Sequence, residues 1–247
     1  MRSKITATHP TLLKKEPVQG SDLDSTQKVE VPAGTSYNIV WKGQEERGHV
    51  KVSLAWNGGN WYIYEPHWSD SGFETVLPVR YFSQRDNYRD ANRTCFSSTC
   101  AMLLEYMKPG TLPGKYGDDI YIKRVFHYGD TTVAQTHLSA LESFDVKARF
   151  IQSGSISLLK NQIDAGKPIP VGILHHGPAS APSGGGHWLL VIGYDSTGFI
   201  VHDPWGCIDH TSGTYPTTDG DSRHYSYDLF KARWTVSNDS DGWAIIV

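Results

Sequence analysis

Between Val29 and Tyr64 apolar and polar residues alternate in short runs separated by glycine-containing turns, and after Leu77 this period of two gives way to helical spacing. A period of two buries one face of a strand, and a period near 3.6 buries one stripe of a helix. The two stretches therefore belong to different architectures. The sequence predicts a β module over residues 1–70, a linker over 71–76 and an α+β domain over 77–247.

In the first stretch, Val29-Glu-Val31, Tyr37-Asn-Ile-Val-Trp41, His49-Val-Lys-Val-Ser-Leu54 and Trp61-Tyr-Ile-Tyr64 read as strands, with turns at Pro32-Ala-Gly34 and Asn57-Gly-Gly-Asn60. Short strands so spaced predict a small all-β barrel. The run Asn60-Trp-Tyr-Ile63 resembles the close of bacterial SH3-like domains. No nucleophile–base pair stands out here. The aromatics Tyr37, Trp41, Trp56, Trp61, Tyr62, Tyr64 and Trp68 exceed what so small a barrel can bury, which predicts an exposed binding patch.

In the second stretch helices come first. Ala101-Met-Leu-Leu-Glu-Tyr-Met107 is stopped by Pro109-Gly110. A second helix is expected from Thr131 or Thr132 to Phe144, and a third from a Ser157 cap to Ala165, ended by Gly166. Strands follow at Ile169–Leu174, Trp188–Tyr194, Phe199–His202 and Trp243–Val247. Helices before strands argue for α+β, with helices packed on an antiparallel sheet.

Composition narrows the function. The net charge is −3 and neither half is basic, so phosphate-backbone binding is not expected. The most apolar run, Trp188–Tyr194, is far short of the roughly 20 residues that span a bilayer. Met1-Arg-Ser-Lys-Ile-Thr-Ala-Thr-His-Pro10 has no apolar h-region, so synthesis in the cytoplasm without a secretory signal is expected. Three cysteines (Cys95, Cys100 and Cys207) are too few and too odd for a disulfide framework, which leaves a thiol for chemistry. A monomer is expected.

Cys95 stands where the first helix should begin, in Asn92-Arg-Thr-Cys-Phe-Ser-Ser-Thr-Cys-Ala-Met102. Unpaired amides and the positive end of the helix dipole favour a thiolate there, and the same amides suit an oxyanion. On the helix Cys95 shares a face with Ser98, Thr99 and Met102, whereas Cys100 points elsewhere. Gly184-Gly-Gly-His187 opens one strand, and His202-Asp203-Pro204 closes the next. Adjacent antiparallel strands bring those ends together, so Asp203 can orient His187 to take a proton from a thiol.

These residues resemble the papain-like cysteine peptidases of the bacteriocin-processing, double-glycine leader type, especially their stand-alone bacterial and phage relatives. The likeness covers about Val76 to Val247. Tyr81-Phe-Ser-Gln84 matches the family's glutamine before the nucleophile. Cys95 with Ala101-Met102 matches the nucleophile helix, and His187 with Asp203-Pro204 the closing pair. Where the family commonly has Cys-Gly-Pro, this chain has Cys95-Phe96-Ser97. The gap from Gln84 to Cys95 is wider, filled by Asp86-Asn-Tyr-Arg-Asp90.

The resemblance implies hydrolysis of a peptide or amide bond through an acyl-enzyme on Cys95. His187 would serve as base and acid, Asp203 as orienting group and Gln84 as oxyanion donor. Trp188 and Trp205 flank the site and are candidate cleft walls for substrate. No cofactor is implied. The histidines His175, His176, His187, His202, His210 and His224, with Cys207, lack a metal-binding spacing, and neighbours on a strand such as His175 and His176 would face opposite ways. Gly184-Gly-Gly186 leads into a strand without the Gly-Lys-Ser/Thr of a phosphate loop. Asp118-Asp119 and Asp219-Gly-Asp221 read as solvated turn acids, with weak calcium binding the alternative.

An SH3-like module ahead of such a domain resembles the layout of phage endolysins, which implies bacterial peptidoglycan as substrate and partner. The rival enzyme reading is a cytosolic protease or transpeptidase acting on a protein. The rival of another class is a non-catalytic wall- or peptide-binding protein.

Overall fold

A computed structural model describes residues 3–55, 58–70, 75–195 and 197–247. Trp56, Asn57 and positions 71–74 of the expected linker lie outside the described residues, as does the Trp41 side chain. Two compact units are present, Met1–Val76 with Tyr194–Thr197, and Leu77–Gly193 with Gly198–Val247.

The first unit holds β1 (Ser3–Ala7), β2 (Thr11–Lys14), β3 (Lys28–Val31), β4 (Ser36–Glu46), β5 (His49–Leu54), β6 (Gly59–Tyr64), β7 (Trp68–Asp70) and the short β8 (Thr75–Val76). The first seven form one antiparallel sheet in the order β3-β2-β6-β5-β4-β1-β7. Sequence alternation found β3 to β6, and the β5–β6 hairpin runs in register from His49 opposite Tyr64 to Leu54 opposite Gly59. It missed β1 and β2. Ser3–Ala7 turns only Ile5 and Ala7 inward, too short an alternation to read. Thr75–Val76, expected as linker, is a strand.

Ile5, Leu13, Ile39, Val52 and Ile63 form the core of this sheet with Trp68. The exposed aromatic patch is not found among the described residues. Trp68 is buried, while Tyr37, Trp61, Tyr62 and Tyr64 are half-buried. Tyr37 and Trp61 pack against the core, and the Lys15 ammonium lies 3.5 Å over the Trp61 ring.

The second unit packs α1 (Cys95–Met107), α2 (Asp118–Tyr128), α3 (Ala134–Glu142), α4 (Ile156–Asp164) and α5 (Tyr227–Trp234) with a sheet whose main path has six strands. That sheet contains β9 (Arg149–Gly154), β10 (Ile169–Ile173), β11 (His187–Tyr194), β12 (Gly198–His202), β15 (Arg223–Ser226) and β16 (Gly242–Ile246), in the order β15-β12-β11-β10-β16-β9. A separate hairpin joins β13 (Cys207–Asp209) to β14 (Thr214–Thr217). This is the α+β arrangement expected.

Two of its elements position the site. Phe96 to Leu104 are all buried, so α1 is a central helix with no solvated stripe over that span. β11 is buried from His187 to Gly193, the mark of a strand covered on both faces. The second expected helix begins later than read. Asp130 Oδ1 accepts both the Thr132 backbone N–H and its hydroxyl, a local turn that holds the chain out of the helix until Ala134. The third is capped by Ser155, not Ser157: its hydroxyl accepts the Leu158 N–H at 3.2 Å. No helix among the described residues is long and apolar enough to cross a membrane.

Candidate active site

Cys95 opens α1 after Thr94, so its backbone N–H and those of the next residues are free of intrahelical partners. The thiol is half-buried. Cys100, one helical turn on, is fully buried, and that burial pushes its thiol well above the usual range. Cys207 is half-buried, and burial again raises its thiol.

His187 begins β11 after a loop whose glycines permit the entry. Gly184 has φ +105°, and a Cβ there would stand 2.6 Å from the His176 ring. His187 Nε2 donates to Asp203 Oδ1 at 2.7 Å, which turns the other ring nitrogen, Nδ1, away from the carboxylate; the imidazole lines the same cleft as Cys95. Burial alone would disfavour the imidazolium. The Asp203 carboxylate and the sulfur of Cys95 outweigh it, pushing the His187 pKa up to about 10.

Asp203 is fully buried, and its carboxylate is fixed by three donors. Oδ1 accepts His187 and the Trp205 N–H at 3.0 Å, while Oδ2 accepts the Tyr225 hydroxyl at 2.9 Å. Its own N–H donates to the Gly220 carbonyl. A side chain at Gly220 would collide with the Asp203 backbone carbonyl, so this close approach requires glycine.

Gln84 is buried at the start of a 3-10 turn. One amide N–H donates to the Ala91 carbonyl at 2.7 Å, which leaves its second N–H for another acceptor. Gln84, Cys95, His187, Trp205 and Tyr215 line one cleft of about 310 Å³ with His175 and His176. The four catalytic candidates named from sequence are thus brought together. Trp205 borders the cleft, with the Arg85 guanidinium 3.9 Å over its ring. Trp188 is nearly buried and stacks on Phe96, ring centroids 3.6 Å apart and planes 3° from parallel.

Two groups escaped the sequence reading. Tyr215, on β14, meets the His187 ring edge-on at 5.9 Å. Arg233, on α5, is wholly buried and spends all five N–H donors on carbonyls: His210 twice, and Leu174, His176 and Gly177 once each. It fixes the loop that carries His175 and His176. A lone tyrosine in a polar hairpin and a lone arginine on a helix carry no sequence signal for either role.

Other expectations need correction. His175 and His176 do not face opposite ways; β10 ends at Ile173, so alternation no longer applies, and their rings lie 3.8 Å apart. Among the described residues no group of three or more His, Cys, Asp or Glu side chains can hold a metal ion. Asp118 is not a solvated turn acid. It opens α2, is buried and accepts the Ser98 hydroxyl at 2.8 Å, and burial pushes its carboxyl up to about 7.

A helix-start thiol, a histidine on a facing strand and a buried aspartate behind it define a papain-like thiol hydrolase. Residues 76–235 match the family described as Peptidase_C39 like family, and the chain belongs to that family of cysteine peptidases. No curated protein matches it. Among solved structures it is similar to a putative C39-like peptidase from Bacillus anthracis, at 15% identity and TM-score 0.47, covering 70% of this chain and 97% of that one. It is also similar to the peptidase domain of Streptococcus ComA, a bi-functional ABC transporter involved in a quorum sensing pathway. There the identity is 16% and the TM-score 0.40, with 63% and 90% covered.

Proposed function

We propose that the chain hydrolyses peptide bonds through a thioester on Cys95. The observation that carries this reading is the His187 ring, held by Asp203 at 2.7 Å through one nitrogen and lining one cleft with Cys95. In the first step the sulfur attacks the carbonyl carbon, its proton having already passed to His187, which the Asp203 carboxylate keeps protonated. The backbone N–H of Cys95 and the second amide N–H of Gln84 donate to the oxyanion, each such donor being worth about 3 kcal/mol. His187 then protonates the departing amine. In the second step it takes a proton from water, which attacks the thioester and frees the acid and the thiol. Asp203 keeps the imidazole oriented throughout.

Of the possible substrates, a protein or peptide chain is the first reading. A second is the peptide of bacterial peptidoglycan, favoured by the separate β-sheet unit, SH3-like in strand layout and with no nucleophile–base pair evident in its sequence. On that reading the unit tethers the enzyme to the wall and raises local substrate concentration.

One experiment separates these readings. Full-length protein and its Cys95→Ala variant are incubated with denatured casein and with isolated peptidoglycan, and new amino termini are identified by mass spectrometry. Thiol-dependent termini in casein support the first reading. Release from the wall alone, together with pelleting of a fusion of residues 1–70 with peptidoglycan, supports the second. No release from either leaves a binding protein.

A further inference from the structure

The cleft of about 310 Å³ that Cys95 and His187 line also holds polar groups that the hydrolysis proposed above leaves unused. His175 and Tyr215 are two of its walls. The Nδ1 atom of His175 and the hydroxyl oxygen of Tyr215 are both buried, and neither has a hydrogen-bond partner in the protein. A buried polar atom without a partner costs free energy, so two of them beside one thiol point to a ligand that completes them.

The rings are set close around the base. Tyr215 meets His187 edge-on at 5.9 Å, and His175 lies 5.5 Å from His187. The backbone that carries His175 is braced on both sides. Arg233 donates to the carbonyls of Leu174 and His176, and His176 and Ser183 exchange two backbone hydrogen bonds at 2.8 Å.

The chemistry of the two groups names the ligand. A phenol hydroxyl donates, and an imidazole can carry its proton on Nδ1 and donate from there. No aspartate or glutamate among the described residues lines the cleft. Arg93, which does line it, is paired with Asp130 at 2.9 Å. Burial and the nearby charge of His187 push the His175 pKa down to about 4, so at pH 7 its ring is a neutral donor. The positive surroundings that disfavour an imidazolium there favour an anion in the same place. Two unspent donors on a hollow without acids suit a carboxylate.

We infer that this hollow recognises a carboxylate carried by the substrate within two residues after the scissile bond, with His175 Nδ1 and the Tyr215 hydroxyl as its donors. The inference rests on the peptidase reading above. The side follows from the chemistry. The departing amine takes its proton from His187, so the residues attached to that amine lie in the hollow His187 lines. An aspartate or glutamate side chain and the substrate's own C-terminus both present the group.

The test uses the full chain and internally quenched peptides built on a sequence that it cuts in denatured casein. One set carries Glu, Gln, Ala or Lys at each of the two positions after the bond. A second set ends two residues after the bond, as free acid or as amide. A Glu peptide should exceed its isosteric Gln counterpart in kcat/KM by roughly ten- to a hundredfold, the range of a hydrogen bond to a charged group. An advantage of free acid over amide would trace the preference to chain ends, and one of Glu over Gln to side chains. Two variants remove the donors one at a time. Tyr215→Phe deletes a single oxygen, and His175→Phe keeps a flat ring without nitrogens; thermal unfolding checks that each is folded. Both should bring the favoured ratio towards one. Gln cut as fast as Glu together with amide as fast as acid, or a ratio unmoved in both variants, overturns the carboxylate site and leaves the peptidase standing. No Cys95-dependent cleavage of any peptide overturns the peptidase reading and the site with it.

Discussion

The Thr99 hydroxyl donates to the Trp188 carbonyl at 3.0 Å, joining the helix that begins with Cys95 to the strand that begins with His187. Thr99 stands one turn after the thiol, and Trp188 directly follows the imidazole. Both groups are buried, so the bond sets the distance between thiol and base with little competition from water.

Thr99→Val keeps the shape and removes the donor. The Trp188 carbonyl then loses its partner, at a cost of about 1–3 kcal/mol. Thermal unfolding should show the loss. kcat should fall more than KM rises, because the thiol–imidazole spacing is what loosens. A variant equally stable and equally fast would mean the bond is incidental.

Cys95→Ser should abolish turnover while unfolding like the parent. Cys100→Ser, at a wholly buried site, should cost stability and leave turnover, and Cys207→Ser should do neither serious harm. Iodoacetamide should label Cys95 first. Mass spectrometry that finds Cys100 alkylated before it would reverse the assignment.

Alkali should weaken the fold through His187. Its folded pKa, about 10, lies above the ordinary 6.5, so the stability it contributes is complete below pH 6.5 and is lost as pH rises through 10. Asp203→Asn removes the charge that raises it. Denaturant midpoints of the parent should decline between pH 7 and 10, whereas those of the variant should be flatter, and kcat should drop to a small residue.

Asp118 behaves in the same sense for a different reason. Burial raises its carboxyl from 3.8 to about 7, so its protonated form is favoured in the fold and the contribution, complete below pH 3.8, is lost as pH rises through 7. Asp118→Asn retains an acceptor for the Ser98 hydroxyl and carries no charge. It should gain about 1–3 kcal/mol at pH 8 and nothing at pH 3, read from urea midpoints.

Sequence periodicity made the buried strands legible. His187–Tyr194 and Gly198–His202 read directly because nearly every residue in them is apolar. The helix α2 did not. Its buried face is Asp118, Tyr121, Ile122 and Val125, a correct helical spacing whose first member is a charged residue normally scored as surface. Three of the four catalytic candidates were legible because each sits at the end of an element that the sequence punctuates: the helix start at Cys95, the glycine loop before His187 and the proline after Asp203; Gln84 came only from the family resemblance. The parts that hold them were not. Tyr225 on Asp203, Thr99 on Trp188 and Arg233 on four carbonyl-bearing residues are pairings between distant segments, and spacing along a chain says nothing about such contacts.

Arg233 has a consequence for the life of the molecule on the ribosome. The loop of His175 and His176, beside His187, is held by a residue more than fifty positions later. Helices α1 to α4 can leave the exit tunnel and pack while that loop still lacks its anchor. Until α5 and then β16, which lies between β10 and β9, have emerged, both that loop and the middle of the sheet lack their partners.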